Sequence, residues 1–95
     1  DQIDAETAER WGMIWQCVPD KELQTQSESV ALKLSKKAPL ASAETKKLLQ
    51  QSPGRNLEEQ LQLEGQTQQK MGMTEDYREG VQAFLEKRQP RFEGK

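Results

Sequence analysis

The chain has 95 residues, with 14 Lys and Arg against 16 Asp and Glu, and a formal net charge of −2. An acidic pI near 5.2 with interspersed charges argues against nucleic-acid binding, and no apolar run approaches the roughly 20 residues needed to span a bilayer. The opening Asp1-Gln2-Ile3-Asp4 lacks the features of a signal peptide, so a cytoplasmic location is expected, and with no histidine and a single cysteine the sequence offers neither an internal disulfide nor the usual metal or general-base sets.

Leu, Ile, Val and Phe make up 17 of the 95 residues, below the ~20% mark where disorder becomes a concern. The charge is nearly balanced, however, and the apolar residues recur at regular spacing. The composition predicts a folded chain that cannot finish a core alone.

The spacing of Ala5, Ala8 and Trp11 predicts a short first helix, capped by Asp4 and stopped at Gly12. Met13 to Val18 reads as a buried strand or extended connector, closed by Pro19-Asp20. Asp20 is the expected cap of a second helix carrying Leu23, Ser27, Val30, Ala31 and Leu34, which stops near Lys36-Lys37. Pro39 suits the first position of a third helix, 39–51, broken by Ser52-Pro53-Gly54. Asn56 with Glu59 three residues later opens a fourth, whose stripe of Leu57, Leu61 and Met71 is interrupted by Glu64 and Gln68. Thr74 caps a fifth, with Tyr77, Val81, Phe84 and Leu85 as its apolar face and Pro90 as its end. The predicted fold class is all-α, five helices with one short extended segment.

Little of this suggests catalysis. Cys17 has no histidine to activate it and reads as a small buried residue on an apolar run. Met71-Gly72-Met73 reads as a connector. The pairs Glu58-Glu59 and Glu75-Asp76 fall in first helical turns, where solvated carboxylates meet the positive end of the helix. Glu64 and Gln68 read as structural contacts. Lys87, Arg88, Arg91 and Lys95 gather where the last helix ends, which suits its negative end. Phe84 and Lys87 are three apart on one face, an aromatic surface and an ammonium that suit the flat ring and phosphate of a nucleotide-like ligand.

The phrases Ala5-Glu6-Thr7-Ala8-Glu9-Arg10-Trp11-Gly12-Met13-Ile14, Val18-Pro19-Asp20 and Leu57-Glu58-Glu59-Gln60-Leu61 occur in that order. They are followed by the run from Glu75 to Arg88, with Glu79-Gly80-Val81-Gln82-Ala83-Phe84-Leu85-Glu86-Lys87-Arg88 at its centre, and then Pro90-Arg91-Phe92. This series resembles the C-terminal part of the enoyl-CoA hydratase/isomerase (crotonase) superfamily over nearly the whole chain. Trp11 to Gln16 and the last helix look most like the phenylacetate-degradation isomerases, which act on ring-epoxide CoA thioesters.

The resemblance implies that 1–95 is the helical segment that supports trimer or hexamer formation and covers the acyl-CoA site. The N-terminal β/α spiral domain, with its oxyanion-hole N–H groups and catalytic carboxylates, has no counterpart in these residues. Phe84 is expected near the adenine, and Lys87 near a phosphate, of coenzyme A bound to a neighbouring subunit. No catalytic residue, metal or cofactor is expected within 1–95, which is expected to be inactive alone and to self-associate, with helices exchanged between copies as one route. The competing expectation is a free-standing helical adaptor that binds another protein and has no enzymatic activity.

Overall fold

The computed structural model describes all 95 residues. It is all-helical, with five α-helices, two single-turn 3₁₀ segments and no strand. The chain divides into two units, Asp1–Lys33 and Leu34–Lys95.

In the first unit, α1 (Ala5–Arg10) begins as expected: the Asp4 carboxylate accepts the Thr7 N–H at 2.8 Å. It ends in a Schellman turn, Gly12 N–H to Glu9 carbonyl and Met13 N–H to Ala8 carbonyl, both 2.9 Å, with Gly12 at φ +73°. Met13 to Trp15 then bends and forms no strand, so the connector alternative is the one observed. The run is also exposed rather than buried, with Trp15 76% accessible, because no strand in this unit offers it an edge. Cys17 is half-buried, and its N–H donates to the Glu9 carboxylate at 2.8 Å.

Asp20 does not cap the second helix. It starts a 3₁₀ turn, Asp20–Glu22, whose cap position is Pro19 and which has no side-chain cap. α2 (Leu23–Ser35) continues directly from that turn, so Asp20 already lies inside the helical path. No residue of α2 is buried.

In the second unit, α3 (Pro39–Gln51) has Pro39 in its first turn and runs into the 3₁₀ turn Ser52–Gly54. α4 (Leu57–Met71) opens with the expected reciprocal cap: Glu59 N–H to Asn56 Oδ1 at 2.9 Å and Asn56 N–H to Glu59 Oε2 at 3.2 Å. α3 packs on α4, and the Gln60 amide reaches across to the Leu48 carbonyl at 3.4 Å. The half-buried residues of α4 are Gln60, Leu63, Thr67 and Met71, a helical stripe that shares only Met71 with the expected one. Leu57 (75% accessible) and Leu61 face away. Glu64, expected to need a partner, is exposed and accepts from Gln60 Nε2 at 3.2 Å. Among hydrophobic side chains of the whole chain, only Ala83 is buried.

Candidate functional site

α5 (Glu75–Leu85) carries the site. Its cap is the predicted one, with Thr74 Oγ1 accepting the Tyr77 N–H at 3.1 Å while the hydroxyl donates to the Met71 carbonyl at 2.7 Å. Asp76 departs from expectation. Its side chain is no solvated dipole partner but is 4% accessible, because the chain after α5 folds back over it. Its carboxylate accepts the N–H groups of Glu93 at 2.8 Å and Gly94 at 2.9 Å, and its own N–H donates to the Lys95 carbonyl at 2.9 Å. Every buried side-chain polar atom is satisfied.

One turn on, Glu79 binds the same tail. Arg88 Nη1 and Nη2 donate to its two oxygens at 2.6 and 3.1 Å, and the Arg91 N–H donates to Oε1 at 2.8 Å. The Arg88 guanidinium, followed by the Arg91 N–H, holds the Glu79 carboxyl down at about 2, against an ordinary 4.5. Further along this face, the Phe92 ring packs over Gly80, 3.6 Å from where a Cβ would stand, an ordinary van der Waals contact. Asp76, Glu79, Gly80 and Ala83 thus form the i, i+3, i+4, i+7 stripe that meets the tail. The apolar stripe of Tyr77, Val81, Phe84 and Leu85 is left exposed, with Phe84 83% accessible.

α5 stops at Leu85, with Glu86 as cap, five residues before Pro90. The stop is a second Schellman turn: Lys87 N–H to the Phe84 carbonyl at 3.2 Å and Arg88 N–H to the Ala83 carbonyl at 3.0 Å. Its left-handed residue is Lys87, at φ 55°, a conformation that costs an L-residue roughly 1–2 kcal/mol. Phe84 and Lys87, singled out from the sequence, are therefore joined by a backbone hydrogen bond and both lie exposed at the same helix end. Of the clustered cations, Arg88 pairs with Glu79 and Glu86, and Lys95 with Glu93 at 3.6 Å, whereas the Lys87 ammonium and the Arg91 guanidinium pair with no carboxylate.

The apolar side of α5 borders a groove of about 390 Å³ walled by Leu40, Met71, Val81, Leu85 and Phe92. It contains no nucleophile with a base, and no three carboxylate or thiol groups converge as a metal-holding cluster. Cys17 is no candidate nucleophile: partial burial, followed by the negative charges of Glu6, Glu9, Asp4 and Asp20, pushes its thiol up from the usual 9.0.

The sequence pattern of the enoyl-CoA hydratase/isomerase family matches residues 1–95. The chain belongs to the enoyl-CoA hydratase/isomerase family. It is 40% identical over its whole length to the 1,2-epoxyphenylacetyl-CoA isomerase of Escherichia coli (strain K12), of which it covers 36%. It is 41% identical, again over its whole length, to a probable enoyl-CoA hydratase of Rhodobacter capsulatus, of which it covers 37%. The crystal structure of an enoyl-CoA hydratase/isomerase from Mycobacterium paratuberculosis superposes with a TM-score of 0.92 at 28% identity, covering the full chain and 37% of that protein. The chain thus spans little more than a third of the length of these family members. Its helices are those of the crotonase fold, and no helix is long and apolar enough to cross a membrane.

Proposed function

We propose that residues 1–95 are the C-terminal helical segment of a cytoplasmic enzyme of this family acting on acyl-CoA thioesters. In this reading the segment supplies a self-association surface and part of the coenzyme A site, and it is not catalytic alone. The observation that carries the proposal is the outward-facing apolar stripe of α5, with its groove, in a chain that spans about 36% of its relatives. A continuous apolar stripe in water calls for a cover, and in this reading the rest of the enzyme and a neighbouring copy supply one.

Phe84 and Lys87 are the proposed ligand contacts, Phe84 against the adenine and Lys87 toward a phosphate of coenzyme A bound to the adjacent subunit. Their exposure at one helix end and the unpaired Lys87 ammonium support this assignment. No metal or cofactor beyond the acyl-CoA substrate enters the proposal. A finer reading, an isomerase of ring-epoxide CoA thioesters in phenylacetate degradation, draws on the Escherichia coli relative.

Two measurements test the proposal. Sedimentation of the 95-residue chain should show concentration-dependent assembly that Val81→Lys suppresses; a monomer at all concentrations refutes the surface. In the complete enzyme, Lys87→Ala should weaken coenzyme A binding by about tenfold or more, the loss of one charge-assisted contact. Unchanged affinity removes Lys87 from the site.

A further inference from the structure

We propose that the Glu79–Arg88 ion pair is a positioning device that fixes Lys87 in its left-handed turn and so sets where its ammonium stands relative to the Phe84 ring. The inference rests on the coenzyme A reading above and gives two further residues a part in it.

The chain makes the same helix stop twice. After α1 the left-handed position is Gly12, which adopts it without a Cβ penalty. After α5 the same pair of backbone bonds surrounds Lys87, which does not. A non-glycine residue keeps such a conformation only where its surroundings over-determine it, and here they do. Arg88, the next residue, grips Glu79 with a two-pronged guanidinium contact at 2.6 and 3.1 Å. Its Nε donates to Glu86, the residue before Lys87, so both neighbours of the strained position are tied together. The Arg91 N–H closes the turn on the same Glu79 oxygen at 2.8 Å.

A glycine would make this turn without strain but carries no ammonium. The bracing therefore serves the lysine side chain rather than the reversal of the chain. Arg88 is itself consumed in the brace, its Nε, Nη1 and Nη2 all engaged, whereas Lys87, whose N–H donates to the Phe84 carbonyl, keeps an ammonium that no carboxylate engages. A lysine at position 88 would keep the charge but not the fork that the two Glu79 oxygens require.

The test uses the complete enzyme, coenzyme A itself as titrant, and crystal structures that report φ at position 87. Glu79→Gln and Arg88→Ala should each weaken coenzyme A binding by ~3-fold or more, with Arg88→Lys restoring only part. Neither should add to the loss caused by Lys87→Ala, because all three act through one ammonium. Full additivity, or unchanged affinity in Glu79→Gln and Arg88→Ala while Lys87→Ala binds weakly, overturns the proposal. If Lys87→Ala leaves binding intact, the coenzyme A reading fails instead, and the backbone decides the brace by itself. A positive φ at Lys87 retained in the Glu79→Gln crystal structure overturns it; a φ returned to the negative region supports it.

Discussion

Asp76 and Gly94 lie 18 residues apart, and the carboxylate of the first accepts the backbone N–H of the second at 2.9 Å. With the Glu93 N–H on the other oxygen, this contact turns the chain after α5 into a defined strap along one side of the helix.

Asp76→Ala should release that strap. A hydrogen bond to a charged group contributes about 1.5–3 kcal/mol, and the tail N–H groups have no other protein acceptor. Amide exchange at Glu93 and Gly94 should accelerate by roughly 10- to 100-fold, with Asp76→Asn intermediate because one acceptor oxygen survives. Unaltered protection at both amides would show that the strap is held elsewhere.

Glu79 makes the strap acid-sensitive. Its folded-state value of about 2 lies below the ordinary 4.5, so the folded chain takes up this proton less readily than the unfolded one. The stabilisation is complete above the unfolded value and disappears as pH falls through the folded one. Thermal melts between pH 6 and 2 should show a loss over that interval that is smaller in Glu79→Gln; identical profiles for the two proteins contradict the assignment.

Asn56→Ala removes one arm of the reciprocal cap on α4. The expected cost is about 1 kcal/mol, within the usual range for N-cap deletions, seen as a lower melting temperature without loss of the fold. Asn56→Asp should retain most of the stability, since its oxygen accepts the Glu59 N–H equally well.

Cys17 should alkylate slowly. Its thiol is pushed up by partial burial and by four carboxylates, so the thiolate is scarcer at pH 7.5 than in a free cysteine. Iodoacetamide labelling in the folded chain should be slower than that of glutathione, and Glu6→Gln should speed it modestly. Labelling faster than glutathione would mark an activated thiol instead.

Helix caps and breaks were legible because they are written in neighbouring residues: Asp4, Pro39, Asn56 with Glu59, and Thr74 all act where the sequence puts them. Asp20 failed because a 3₁₀ turn is as local as a cap and competes for the same residues. Packing was less legible. The stripe of Leu57 and Leu61 is real, yet α3 meets α4 through Gln60 and Thr67 on the neighbouring side, and spacing alone cannot say which side another helix will cover. The role of Asp76 depends on residues 17 and 18 positions away, beyond any periodicity. The early end of α5 went unread because a lysine gives no sign of a left-handed turn; the pairing of Glu79 with Arg88, nine residues on, was the available clue.

The reversed use of the two sides of α5 has a consequence for assembly. Most amphipathic rods rest on their oily side and show water the other; this one is splinted from behind by its own tail through Asp76, Glu79 and Gly80. Whatever docks in front therefore meets a surface already held still, so little freedom remains to be lost when contact is made.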